Sequence, residues 1–260
     1  MNLNSLWNVD RHRPLLGSVL ILRKALENKL GSCSQYVSST INIKGTKKLE
    51  EPVLELFEEI FRDDERFTIR ASKHFSTNEV WPPDTTDKWF STWLGIDEQF
   101  RSRIGDSFLQ WRNSARIHGD FYVCHLKVYS ATAHSDIDAA SLDQWHQFFK
   151  LYSKSRFILL GDSEYPMDML ELPNTELAKN LDLSLNDQLS IIEHSKGFIG
   201  SASGFGAAAV LCSKPYTIFK HPDHHPGEFI TPSFQAANQN VIRAIDTVAN
   251  ISERFEAWKA

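Results

Sequence analysis

Three cysteines in 260 residues, at Cys33, Cys124 and Cys212, are too few, too scattered and odd in number for a disulfide framework. No C-x-x-C pair marks a zinc ribbon, and a reducing cytoplasm fits this usage. The chain has no apolar run long enough to span a bilayer, and its opening, MNLNSLWNVDRHRP, lacks the apolar core of a signal peptide, so no transmembrane segment is expected. Basic charge is short as well. With 28 Lys and Arg against 33 Asp and Glu the formal net charge is -5, which speaks against a nucleic-acid partner because a phosphate-tracking surface needs a basic face. There is no internal repeat and no low-complexity segment. Ser203 lies in S-A-S-G-F-G and not in G-x-S-x-G, which removes a serine-hydrolase reading.

What the chain does have is 42% hydrophobic residues, enough for one large or two modest cores. Its densest signal is Asn186 to Phe219, NDQLSIIEHSKGFIGSASGFGAAAVLCSKPYTIF. Leu189, Ile191 and Ile192 read as a helix passing into a buried strand at Phe198-Ile199, which stops at Gly200-Ser201-Ala202-Ser203-Gly204. A second helix starts there. Ser203 is an N-cap residue, Gly204 and Gly206 leave the first turn open, and Ala207 to Leu211 is a helix-forming run that Pro215 ends. Tyr216 to Phe219 is the next strand. Strand, Gly/Ser turn, helix and strand make the parallel α/β pattern, and the N–H groups of such a turn favour an anion such as phosphate. The same small residues equally serve to bring a helix close to a sheet, and the turn alone does not separate the two readings. It is not a dinucleotide fingerprint, since it lies late in the chain and a His/Pro-rich segment follows it.

Upstream, Val19, Leu22, Leu26 and Leu30 place a helix from Gly17 or Ser18 to Leu30, stopped by Gly31. No clear strand precedes it. Tyr36 to Ile43 reads as a short strand, Pro52 opens an amphipathic helix through Val53, Leu56, Phe57, Ile60 and Phe61, and Phe67 to Arg70 is another strand. The acids of that helix and its end, Glu51, Glu55, Glu58, Glu59, Asp63 and Asp64, read as a solvated face. Trp81, Trp89, Phe90 and Trp93 read as anchors of an irregular loop, with stacking on a sugar or base as the alternative. A helix from Asp97 to Ser114 carries Phe100, Ile104, Phe108 and Trp111, and Gly119 marks a domain boundary.

Beyond that boundary a strand, loop, helix rhythm sets in. Phe121 to Lys127 is a buried strand with a polar end, Ser141 and Gln144 read as a capping box for a helix carrying Trp145, Phe148 and Phe149, and Phe157 to Leu160 is the second strand. Short helical stretches near Asn174 to Leu181 and from Ser184 lead into the Asn186 to Phe219 unit, and a last helix from Val241 to Trp258 packs back on the body. The expected fold is α/β, with a Rossmann-type parallel sheet in residues 119–240, a smaller or reduced N-terminal α/β domain in residues 1–118 and a C-terminal helix in residues 241–260. Ligands of such a sheet bind at the carboxyl ends of its strands, where His125, Lys127, Asp162 and Ser201 to Gly204 fall. His221, His224 and His225, flanked by prolines and without a nearby thiolate, read as an exposed loop and not as a zinc site.

The residues from Gly119 to Phe219 resemble the C-terminal nucleotide-sugar domain of fucosyltransferase-like glycosyltransferases of GT-B architecture. In that family a strand ends in His-x-Arg, and YVCHLK puts His125 and Lys127 at those places. A later strand ends in an acidic turn, matched by Asp162 in LLGDSE, and then come an Asp opening a helix, a strand and a Ser/Thr-rich helix start, matched by Asp187, Ser201, Ser203 and Gly204. The resemblance implies an enzyme that moves a sugar such as fucose from a GDP-linked donor to a glycan or polysaccharide acceptor. By it, Asp187 contacts the base or ribose, Ser203, Gly204 and neighbouring amides hold the diphosphate, and Lys127, beside His125, neutralises the leaving group. Lysine in place of the family's arginine keeps the charge but loses the bidentate grip on phosphate. Because negative charge builds on the departing diphosphate, oriented N–H donors and a cation meet the main requirement, and neither metal nor other cofactor is expected. His134, Asp136 and Asp138, in the loop after Lys127, are candidates for the acceptor base by position alone. The lysine and the small first domain favour an alternative, a non-catalytic nucleotide-sugar-binding or scaffold protein.

Overall fold

Strand β1 (Asn2–Asn8) opens the chain and leads through helix α1 (Leu16–Gly31) to β2 (Ser38–Lys44), then through α2 (Glu50–Phe61) to β3 (Phe67–Ala71). The computed structural model describes residues 2–8, 16–31, 38–44, 50–71, 109, 111, 117–128, 139–162, 164–223 and 238–258. The three strands pair in parallel in the order β1-β2-β3, with Asn2 opposite Ser38 and Ser39 opposite Phe67. An opening strand is therefore present, contrary to expectation. Its segment, NLNSLWN, has no strict apolar alternation, and its parallel pairing with β2 over all 7 residues makes it a strand.

Helix α1 buries Val19, Leu20 and Leu26 together with two cations, Arg23 and Lys24. Partners explain how a guanidinium can lie on an otherwise apolar face. Arg23 grips Asp63 twice, Nη1 to Oδ1 at 2.6 Å and Nη2 to Oδ2 at 3.1 Å, donates from Nε to Glu27 Oε1 at 3.0 Å, and caps the free carbonyl of Ile60 at the end of α2. The guanidinium also lies 4.2 Å from the centroid of the Trp111 ring. Burial opposes its charge, but the Asp63 and Glu27 carboxylates outweigh burial and leave the pKa of Arg23 raised. The acidic side of α2 is thus only partly a solvated face. Glu55 and Glu58 are exposed, whereas Asp63 is paired with Arg23, Asp64 is buried against Arg66 and Glu59 is turned to Asn186.

The second sheet contains β4 (Tyr122–His125), β5 (Phe157–Leu159), β6 (Thr175–Leu177), β7 (Phe198–Ser201), β8 (Tyr216–Lys220) and β9 (Gln239–Arg243), all parallel. Its helices are α3 (Leu142–Leu151), α4 (Met167–Leu170), α5 (Leu185–His194), α6 (Gly204–Val210) and α7 (Val248–Glu256). The strand order, β6-β5-β4-β7-β8-β9, grows outward from β4, then crosses to β7 and grows the other way, which is the doubly wound Rossmann arrangement. Side-chain alternation splits the core between the two faces. Val123, Ile158, Phe198, Tyr216 and Ile218 meet α5 and α6, while Cys124, Phe157, Leu159, Ile199 and Phe219 meet α3, α4 and α7. The second face is aromatic: the Phe255 ring of α7 lies 5.3 Å from Phe148 and 4.6 Å from Tyr122.

Several local expectations change. Thr175 to Leu177 is the edge strand β6, and only Ala178–Leu181 is helical, as a 3-10 turn; a three-residue strand carries no period to read. The final helix starts at Val248 and not at Val241, because Gln239–Arg243 pairs with β8 as the other edge strand. Asp246 anchors the link between them, accepting the Ser141 N–H at 3.0 Å, the Ser141 hydroxyl at 2.6 Å and Trp145 Nε1 at 2.5 Å. The expected capping box on α3 does not form for the same reason: Ser141 bonds Asp246, and Gln144 Oε1 accepts from Val248 N at 2.9 Å. Most of the helix expected over Asp97 to Ser114, and all of the loop aromatics Trp81 to Trp93, lie outside the described residues. At Leu109 and Trp111 the backbone is not helical, and their N–H groups reach Leu211 O at 2.7 Å and Glu193 Oε2 at 3.1 Å.

Helices α1 and α2 pack on α5 and α6, so one apolar core runs from Val19, Leu26, Phe57 and Ile60 to Leu189, Ala207 and Phe198. A Cβ on Gly204 would come 2.7 Å from that of Leu16, and Glu59 accepts Asn186 N on Oε1 at 3.0 Å and Asn186 Nδ2 on its carbonyl at 2.9 Å. Among the described residues no helix is long and apolar enough to cross a membrane. Because the Arg23 and Asp63 side chains are both 0% exposed, Arg23→Met leaves a buried carboxylate without its cation. Chemical denaturation should show a loss of about 3 to 5 kcal/mol, and Arg23→Met with Asp63→Leu should recover most of it.

Candidate functional site

In a sheet of this order the ligand crevice forms beyond the carboxyl ends of the two strands at the crossover, here β4 and β7. These strands approach closely. Gly200 pairs with His125, and a Cβ on Gly200 would stand 2.3 Å from the His125 carbonyl oxygen. One residue on, buried Ser201 accepts the Lys127 N–H on Oγ at 3.1 Å, which ties the two chain ends together past the last ladder pair. The Lys127 carbonyl in turn accepts Ala140 N at 2.8 Å, so the loop leaving Lys127 returns beside it.

His125 is 6% exposed, with its ring 4.9 Å from that of Phe205 and its Nδ1 buried without a hydrogen-bond partner. Gly161, at φ 84°, makes room for it: a Cβ there would lie 3.1 Å from Cδ2 and Nε2 of the imidazole. Burial first, and the charge of Lys127 second, lower the pKa of His125 to about 3. The imidazole is neutral at physiological pH, and Lys127 supplies the positive charge of the pair.

Two supporting residues escape the sequence reading. Gln188 accepts Gly161 N on Oε1 at 2.7 Å and donates from Nε2 to Leu183 O at 3.2 Å, holding the turn that covers His125. Tyr165 spans the ends of β4 and β5, its hydroxyl 3.3 Å from Leu160 O and 3.4 Å from Leu126 O. Gln188 lies within the Asn186 to Phe219 stretch and Tyr165 in no motif, and only the chain path brings them to this edge.

The other expected residues divide. Asp162 follows Gly161 at the end of β5 and is exposed. Asp187 is buried in the capping box of α5, its Oδ2 accepting from Ser184 N at 3.1 Å and Ser184 Oγ at 2.8 Å. With Glu59 on Asn186 N, the start of α5 is satisfied by carboxylates of the protein itself. Ser203 is the N-cap of α6 as expected, its Oγ accepting Gly206 N at 3.2 Å, and Gly204 lies against Leu16, so the close-packing role of this turn is realised. His134, Asp136, Asp138, His224 and His225 lie outside the described residues. Among the described residues no group of three or more His, Cys, Asp or Glu is placed to hold a metal ion.

No family model and no curated protein matches the chain. Solved structures do. The E. coli heptosyltransferase WaaC with ADP superposes over 98% of this chain and 96% of its own, with a TM-score of 0.55 and 11% identity. A glycosyl transferase family 9 protein of Veillonella parvula covers 98% of this chain and 89% of its own, with a TM-score of 0.58 and 10% identity. E. coli ADP-heptose lps heptosyltransferase II gives 99% and 98%, with a TM-score of 0.58 and 10% identity. The fold is the GT-B fold. At such identities the likeness speaks for the fold alone, and none of these three is a fucosyltransferase, so the support reaches the glycosyltransferase architecture and not fucosyl specificity.

His125 sets an acid limit on stability. Its folded pKa of about 3 lies below the ordinary 6.5, so between those values the unfolded chain holds a proton that the native one does not. The stability is whole above that window and is lost as pH falls through it, by about 1.4 kcal/mol per pH unit. Urea unfolding between about pH 4 and 6.5 should show this slope reduced by about one proton in His125→Leu. Equal slopes in the two proteins would remove the assignment.

Proposed function

We propose that this chain is a glycosyltransferase that moves a sugar from a nucleoside-diphosphate donor to a glycan or polysaccharide acceptor. The observation that carries this reading is the pairing of Lys127 with Ser201 across the crossover of β4 and β7, in a fold shared over 98% of the chain with a heptosyltransferase that holds ADP. As the glycosidic bond to the diphosphate breaks, the departing oxygens gain negative charge, and the Lys127 ammonium and the N–H groups at Ser203 and Gly204 are the charge and fixed dipoles that stabilise it. His125 adds no charge. Its neutral ring, packed on Phe205 under Gly161, serves as the floor on which Lys127 is placed. The acceptor hydroxyl loses its proton to a carboxylate or imidazole, for which His134, Asp136 and Asp138 are the candidates by sequence position.

The base of the donor is guanine on the sequence resemblance and adenine on the names of two of the solved structures, so GDP-fucose and an ADP-linked sugar are the donors to compare first. Free, buried Cys124 and Cys212 accord with a cytoplasmic place of action. A second reading, a nucleotide-sugar-binding protein without turnover, is favoured by the engagement of Asp187 in its own helix cap. Nucleotide release from a panel of ADP-, GDP- and UDP-sugars, with and without glycan acceptors, separates them: binding without release supports the second, and absence of any nucleotide binding sinks both.

Lys127→Ala should weaken diphosphate binding by about 1.5 to 3 kcal/mol in calorimetric titration, with little effect on stability, and Lys127→Arg should bind at least as well. Affinities that agree within about 0.5 kcal/mol for wild type and Lys127→Ala would take this residue out of the site. The reaction is also proposed to need no divalent metal. Since Asp136 and Asp138 stand two apart and carboxylates so spaced can hold Mg²⁺ or Mn²⁺ on a diphosphate, EDTA is a sharp test. Turnover or binding that fails in EDTA and returns with Mn²⁺ overturns the metal-free mechanism.

A further inference from the structure

Strand register puts a second cation at the level of Lys127. Strands β4 and β8 flank β7, with His125 opposite Gly200 on one side and Ile218 opposite Gly200 on the other. Two residues further along each chain come Lys127, Ala202 and Lys220. The bonds from Lys127 N to Ser201 Oγ and from Ala202 N to Phe219 O, both 3.1 Å, keep the chains together up to that level. At the usual spacing between strands, the two lysine backbones are about 10 Å apart.

Alternation assigns the side chains to one face. On β4, Val123 and His125 turn to the side of α6, where His125 meets Phe205, and Cys124 turns away; just past the strand Leu126 also packs on the far side, so Lys127 follows His125. On β8, Tyr216 and Ile218 face α6 and Phe219 faces away, so Lys220 follows Ile218. Ala202, between them, packs on the same side. The two lysines therefore stand on either side of the turn from Ser201 to Gly204 by which β7 enters α6. Lys220 is 3% exposed, a burial lysines rarely reach. The neighbouring Arg243, opposite Lys220 in the β8–β9 ladder, is exposed and donates to the Pro222 carbonyl, which separates it from the pair. The buried, partnerless Nδ1 of His125 lies on the same face, two residues below Lys127.

Resting on the glycosyltransferase reading, we propose that Lys220 is a second phosphate-binding residue of the donor site, which forms with Lys127 a two-lysine clamp astride the Ser201 to Gly204 turn and selects a diphosphate over a monophosphate. Two separated point charges match two phosphates, and a single phosphate can engage only one of them. Calorimetric affinities of wild type, Lys220→Met and Lys220→Arg for ADP, AMP, GDP and GMP test this. The expected result is that Lys220→Met loses about tenfold or more in affinity for the preferred diphosphate while the monophosphate changes by less than about twofold, and that Lys220→Arg keeps the wild-type ratio within about threefold. Lys220→Gln, which retains a polar chain, gives the same ratio if the Met variant does not fold. A loss shared equally by di- and monophosphate, or no loss of either, overturns the clamp while leaving the donor-site reading intact. If wild type binds no nucleoside diphosphate, the glycosyltransferase reading falls and the clamp with it.

Discussion

The contact on which the carboxyl edge depends is the close approach of β4 and β7 at Gly200, where any side chain would run into the His125 carbonyl. Two strands distant in sequence can pair here only because position 200 presents backbone alone. Once they pair, Ser201 reaches the N–H of Lys127, the chain beyond Ser201 turns into α6, and His125 is pressed between Gly161 and Phe205. The chemistry-bearing side chains inherit their positions from this one ladder. A parallel sheet whose order reverses at that point leaves no helix directly above the two strands, which is why polar residues gather there.

That edge is maintained against a desolvation cost. His125, Ser201, Ser203 and Lys220 are each less than a tenth exposed, and buried polar groups persist only where hydrogen bonds or a ligand compensate them. Ser201 and Ser203 find their compensation in backbone N–H groups, Lys127 N and Gly206 N. His125 avoids part of the cost by staying neutral, and its unpaired Nδ1 is the local imperfection of the kind that collects at functional sites.

The N-terminal unit bears on the same region through packing and not through chemistry. Arg23 ties α1 to the end of α2, and α2 then delivers Glu59 to the first turn of α5, while Leu16 seats against Gly204 at the first turn of α6. One apolar core passes through both units, so the helices that border the candidate site are braced from outside the Rossmann sheet. Burying a guanidinium on that path gives orientation: its fork fits Asp63 and the Ile60 carbonyl in a single geometry, which a further apolar residue would not impose.

By itself the sequence determined the features that depend on near neighbours. Apolar runs named β4, β5, β7 and β8, the Ser203 cap and Ala-rich run named α6, and polar residues at the ends of β4 and β7 named His125, Lys127 and Ser201 as edge residues. Tertiary structure alone decided what depends on partners far along the chain. β1, β6 and β9 exist by pairing with a neighbour, the Ser141 and Gln144 side chains turn from their own helix to Asp246 and Val248, and Asp187 turns to Ser184. Lys220 could have been suspected from its place after the strand run, as Lys127 was, but that it stands level with Lys127 and on the same face follows only from ladder registers on both sides of β7, because register is set by the pairing of strands and not by either strand alone.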